Sequence, residues 1–235
     1  LTTAKSLSIQ GLGADLLTVK GDSESAVFDI DSDGNTGIEP TLLAGLTVTG
    51  GSSGVVGYGG ALTIKDSVIT GNADIGVATR LFLTLENTDV TNNGGEGVYT
   101  YGDLTVVGGS ISNNQADGIN SDGRVTVTDS TISNNGEDGI FSPLAVSVER
   151  SVISGNTEAG VDAPVGAFGN YAGSIDISNS TVENNGAGLI ADAGYDGDIA
   201  VSQSQIINNS GNGISGGTVT VAQSTVGGNA GVGVS

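Results

Sequence analysis

"DLTVVGGSISNNQADGI" spans residues 103–119, and "RVTVTDSTISNNGEDGI" repeats the phrase over residues 124–140. The offset is 21 residues, and it sets a ladder: Asn72, Asn93, Asn114, Asn135 and Asn156 stand four equal steps apart. Asn185, Asn209 and Asn229 continue it at steps of 29, 24 and 20, so insertions stretch the repeat without erasing it, while Gly51 takes the slot before Asn72. A fixed period of this size signals a solenoid or a propeller, whose units bury their apolar faces only by stacking.

Short β-branched runs with period 2 identify the stacked units as strands. Leu62, Leu83, Leu104 and Val125 begin one apolar column, and Leu43, Ile64, Leu85 and Val106 a second on the same strand. Val48, Ile69, Val90 and Ile111 mark a second strand, and Val56, Val77, Val98 and Ile119 a third. Three short strands per turn describe an all-β parallel β-helix, with coils about 4.7–4.9 Å apart. A propeller needs blades of roughly 40 or more residues. The sequence thus predicts a single domain over residues 1–235 with about ten coils, a less regular opening at 1–40 and a locked register from 41 to 235. Two insertions interrupt that register, at residues 162–174 and 190–198.

The chain has 41 Gly, phased with the ladders at turns, and no Cys, His, Trp or Met. The missing Met reads as a piece of something longer, and the absence of Cys leaves the redox compartment open. A net charge of −20 argues against nucleic acid and anionic membranes, which need clustered Lys and Arg, and fits an extracellular or cell-surface setting. No apolar run approaches the roughly 20 residues of a membrane span. Neither end shows a capping helix, so the ends are expected either to continue a longer β-helix or to stack end to end on identical chains.

The run "SLSIQGLGADLLTVKGDSESAVFDI" (residues 6–30), then "LLAGLTVTGG" (residues 42–51), then copies such as "TVTDSTISNNGEDGI" (residues 126–140) resemble the right-handed parallel β-helix repeat proteins of bacterial surfaces. That group shares a pectate-lyase-like architecture and includes polymorphic outer-membrane-type repeats. The resemblance covers essentially the whole chain. It implies right-handed coiling, secretion and membership of a large surface or matrix protein, on a fold that hosts lyases, epimerases, tailspikes and stalks alike. Enzymes of this architecture use Arg, Lys or His as bases, with paired carboxylates or calcium as acid partners.

This chain offers only six basic residues. Column spacing sets Lys65 beside Glu86, Arg124 beside Asp103 and Arg150 beside Asp129, and places Arg80 under Tyr101 as a cation–π neighbour. Lys5 and Lys20 fall in the opening. Asp29, Asp31 and Asp33 followed by Gly34 spell the start of a calcium loop. Glu39 falls one position short of the bidentate twelfth residue, where Pro40 stands, so the readings are Ca2+ or a plain acidic loop.

The asparagine ladder reads as structural: Asn tolerates a left-handed turn, and its amide can bond its equivalent in the next coil. Thr63, Thr84, Thr105 and Thr126, and likewise Thr70 and Thr91, read as solvated strand faces rather than an ice-matching array. The insertions leave the third strand in successive coils and bring Phe168, Tyr171 and Tyr195 near Asp192, Asp196 and Asp198. These residues form a candidate surface for a sugar, a cation or a protein, with a self-packed loop as the alternative.

The expectation drawn from these features is a non-catalytic extracellular structural or adhesive module, able to assemble end to end. The alternative is a carbohydrate-binding or polysaccharide lyase/epimerase-type β-helix, disfavoured because a −20 chain repels a polyanion unless calcium bridges the two.

Overall fold

The computed structural model describes residues 6–30, 40–165, 173–192 and 197–235. Its strands are three to five residues long with few exceptions, and each pairs in parallel with its equivalent one coil away. Three sheets result, two of ten strands and one of nine. The first runs from Leu7–Gln10 through Leu83–Glu86 to Thr218–Ala222, the second from Thr18–Lys20 to Thr225–Gly227, and the third from Phe28–Ile30 to Ile214–Ser215. The opening coil therefore joins all three sheets: Leu7 pairs with Thr41, Val19 with Val48 and Phe28 with Val55.

Alternation decides which side chains go inward. In Leu83–Glu86 the two leucines are buried while Thr84 and Glu86 face out, and Leu83 stacks on Leu62 below and Leu104 above. One column sits differently from its sequence reading. Val55, not Val56, is the buried partner of Val77, and Val56 faces outward opposite Ala78. The coil at 48–55 has one residue fewer between its second and third strands than the coil at 69–77, which counting back from Val77 by a constant step cannot register.

Inside the corner between the second and third sheets runs the asparagine ladder. Asn93 Oδ1 accepts from both the backbone N–H (3.1 Å) and the Nδ2 (3.0 Å) of Asn72. Its own Nδ2 donates to Asn114 Oδ1 (3.0 Å) and to the carbonyl of Ile69 (3.3 Å). The pattern continues through Asn135, Asn156, Asn185 and Asn209 to Asn229, across the longer steps as well. Gly51 donates its N–H to Asn72 Oδ1 and so ends the ladder without a side chain.

The left-handed residue is not the ladder asparagine but the one before it. Asn92, Asn113, Asn134, Asn184 and Asn208 have φ near +57°, and Gly71, Gly155 and Gly228 take the same place. The ladder residue must turn its amide inward along the stack, so the positive-φ bend falls one position earlier, where Asn and Gly tolerate it. A glycine column packs against the ladder: a Cβ on Gly118 would lie 2.6 Å from Asn135 Nδ2.

A second ladder of hydroxyls lies at the corner between the first two sheets. Ser130, Ser151 and Ser180 each offer their N–H to the hydroxyl one coil on, at 3.0–3.1 Å. Each of these hydroxyls donates to the carbonyl two residues back. Among the described residues no buried side-chain N or O lacks a partner, although 22 polar side chains are buried.

Asn114→Ala removes the acceptor for two donors of Asn93 and orphans groups that water cannot reach. With about 1–3 kcal/mol for each unsatisfied buried group, the variant is expected to lose about 3 kcal/mol or more of stability, read as a lower urea midpoint. Asn229→Ala, at the half-exposed end of the ladder, should lose clearly less.

Candidate functional site

On the outer face of the third sheet a shallow cleft gathers aromatic and cationic side chains. Val56, Ala78 and Tyr99 stand opposite one another in register, so two small residues leave a floor beside a large ring. In the adjoining corner, Tyr58, Arg80 and Tyr101 each begin the turn that follows the strand, one per coil. Together with Gly57 and Thr79 these residues line a cleft of about 220 Å³. The Arg80 guanidinium lies 5.1 Å from the centre of the Tyr58 ring. The Tyr99 and Tyr101 rings meet edge to face, 5.2 Å apart at 89°. Tyr101 remains 55% exposed, so the cleft is open to solvent along one wall.

Arg80 thus stacks on the coil before it, not on Tyr101 as constant spacing suggests. Tyr58 and Arg80 are 22 residues apart because of the same offset that places Val55 in the core, which hid Tyr58 from the 21-residue column. Aligning Val55 with Val77 is the sequence signal that would have revealed Tyr58.

Beyond the cleft the outward row continues to Asp162, and two further carboxylates lie in the corner that precedes the sheet. Tyr99 pairs with Asn120, Asn120 with Phe141 and Phe141 with Asp162. Just before these strands, Asp117 and Asp138 are 5% and 6% exposed. Asp117 Oδ1 accepts the Asp138 N–H at 2.9 Å, and Asp138 Oδ1 accepts the Ala159 N–H at 2.7 Å. Asn120 Nδ2 also donates to Asp117 Oδ2 at 2.9 Å. Burial pushes Asp138 up to about 7, against the pull of the Ala159 N–H, and the carboxylates of Asp162 and Asp117 add to the rise. Burial likewise pushes Asp117 up to about 6, opposed by the Asp138 N–H. Asp162 is raised by burial and then by Glu158. Asn212 does the same backbone work without a charge, accepting the Val232 N–H at 2.9 Å.

The remaining sequence candidates divide by place. Asp29 is exposed on the third sheet, opposite Val56, whereas Asp31, Asp33 and Glu39 lie outside the described residues. Phe168, Tyr171, Tyr195 and Asp196 also lie outside them. The two insertions leave from paired strands, since Ala163 stands opposite Ala191. Asp192 accepts the Gly197 N–H through its carbonyl at 3.1 Å, and Asp198 opens a first-sheet strand in an exposed position. Among the described residues no group of three or more Asp or Glu is placed to hold a metal ion.

Of the basic residues, Lys65 reaches Glu86 at 2.8 Å, and Arg150 pairs with Asp129 at 2.8 Å and with Glu149. The expected Arg124–Asp103 ion pair is replaced by a backbone contact: the Arg124 N–H, not its guanidinium, donates to Asp103 at 2.9 Å.

Residues 17–142 and 53–196 each match the family model described as a right-handed β-helix region. No curated protein matches. Two solved structures are similar. The pectate lyase Pel9A shares 16% identity over 90% of this chain and 68% of its own, with a TM-score of 0.48. The A-module of the mannuronan C-5 epimerase AlgE6 from Azotobacter vinelandii shares 17% over 83% of this chain and 57% of its own, with a TM-score of 0.39. At such identities the likeness is one of fold and assigns no residue. The expectation of a non-catalytic module does not stand beside them, since both similar structures are named as enzymes, a lyase and an epimerase.

Between about pH 4 and 7 the folded chain keeps protons on Asp117 and Asp138 that the unfolded chain has released, so stability falls as pH rises through that window and levels above it. Asp138→Asn retains the acceptor for the Ala159 N–H and removes the charge. Its melting temperature is expected to exceed the wild type at pH 8 and to match it below pH 4. A gap independent of pH would contradict the assignment.

Proposed function

We propose that this chain, which belongs to the right-handed β-helix family, binds a saccharide in the tyrosine–arginine cleft on the outer face of its third sheet. The observation that carries the reading is the convergence of three tyrosine rings and one guanidinium on a floor of Val56, Gly57 and Ala78. Aromatic faces offer apolar contact while phenol hydroxyls supply hydrogen bonds at the rim, a combination suited to a ring with C–H faces and hydroxyl edges. The coil stack holds these side chains on short paired strands and tight turns, so little order has to be gained on binding.

The setting that fits is extracellular. An acidic sheath with 26 Asp and Glu keeps such a rod dispersed, and saccharide polymers are abundant outside cells.

Binding to an array of neutral and acidic oligosaccharides tests the reading. Tyr99→Ala and Tyr101→Ala should each weaken the captured ligand on the order of tenfold, as expected for loss of an aromatic contact worth about 1.4 kcal/mol. Their circular dichroism should be unchanged, because neither ring lies in the core. A wild-type chain that captures no saccharide, or tyrosine variants that bind as the wild type does, would overturn it.

A further inference from the structure

Arg80 is exposed, and among the described residues its guanidinium makes no ion pair, although the chain carries 26 carboxylates and only 6 cations. Lys65 and Arg150 show the alternative, since both are paired with a carboxylate one coil away. Arg80 lies instead against the Tyr58 ring, and it lines the cleft together with Tyr99 and Tyr101. A planar guanidinium held against a ring is preorganised for bidentate pairing with a carboxylate.

A carboxylate stands on each flank of the cleft. Asp29 stands opposite Val56 on one side, and Asp122 follows Tyr101 in the same corner on the other. At the usual coil spacing Asp122 is two coils, about 10 Å, from Arg80, so its field at the cleft is partly screened at physiological salt, where the Debye length is about 8 Å, and Arg124, two residues on in the same turn, offsets it further. A chain of repeated anionic units laid along the axis would gain the Arg80 contact for one unit, meet Asp29 on one side, and be repelled along its length by a protein of net charge −20. A single anionic unit followed by neutral hydroxylated units would meet that repulsion only once, at the unit paired with Arg80, and would run past Asn120.

Resting on the saccharide reading above, we infer that the cleft selects an oligosaccharide with one carboxylate-bearing unit, seated on Arg80, and discriminates against polyanionic saccharides. Arg80 is thereby the specificity-determining residue, while the tyrosines supply contact to any sugar ring.

Calorimetry with the full chain and three probes separates the claims: a neutral oligosaccharide, the same oligosaccharide capped by one carboxylate-bearing sugar, and a polyuronate of equal length. The capped probe should bind on the order of tenfold more tightly than the neutral one, the gain of one charge-assisted contact, and the polyuronate more weakly than the capped probe. Arg80→Gln should abolish the difference between the capped and the neutral probe, whatever loss both share from the missing guanidinium in the cleft. Arg80→Lys, which keeps the charge but not the fork, should fall between. Equal binding of capped and neutral probes by the wild type, or tightest binding of the polyuronate, would overturn the inference while leaving the saccharide reading intact. Failure of all three probes to bind would remove that reading and the inference with it.

Discussion

A side-chain amide bonded to the same amide one coil away is the interaction on which this structure depends. Backbone ladders alone hold parallel strands together, but they tolerate slippage where both faces are polar. The Asn72-to-Asn229 stack prevents it, since each amide accepts two hydrogen bonds from one neighbour and donates to the next and to a second-strand carbonyl. A slip by one residue would bury unpaired amides instead. The ladder also crosses the two long insertions unchanged, bonding Asn156 to Asn185 at 2.9 Å, which is why the coils after the loops return to register.

Register at the buried corner is transmitted to the exterior because each strand is only a few residues long. Fixing Asn93 and Asn114 fixes Val98 and Ile119, and through them the outward-facing Tyr99 and Asn120. The cleft therefore needs no support of its own. Its shape comes from residue size in the outward row, with Val56 and Ala78 small and Tyr99 large, and its charge from Arg80 in a column otherwise occupied by Tyr58, Tyr101 and Asp122. The acidic stretch past it has a dual character. Asp117 and Asp138 cap backbone N–H groups one coil on, a structural task, yet Asn212 shows that an amide suffices for it.

The repeat was legible in the sequence because a 21-residue period with apolar columns leaves little freedom: strand identity, core residues and the amide ladder all follow from it. What escaped came from local departures from the period. The shorter turn before Val55 shifted one column and concealed the Tyr58–Arg80 contact. The bend preceding each ladder asparagine could not be told from the ladder residue itself, because both positions carry Asn in five of the coils. The raised Asp117 and Asp138 carboxyls depend on burial, which a row of acidic letters in a turn does not convey. The inserted loops carry the aromatic and acidic letters most evident in the sequence, whereas the described cleft lies on the regular scaffold several coils earlier.

The most direct measurement is a crystal structure of the chain with the singly carboxylated oligosaccharide bound. The account predicts the sugar on the outer face of the third sheet, its carboxylate paired with Arg80 and its rings against Tyr99 and Tyr101. A ligand seated on the first or second sheet, or on the third sheet away from Arg80, would contradict it.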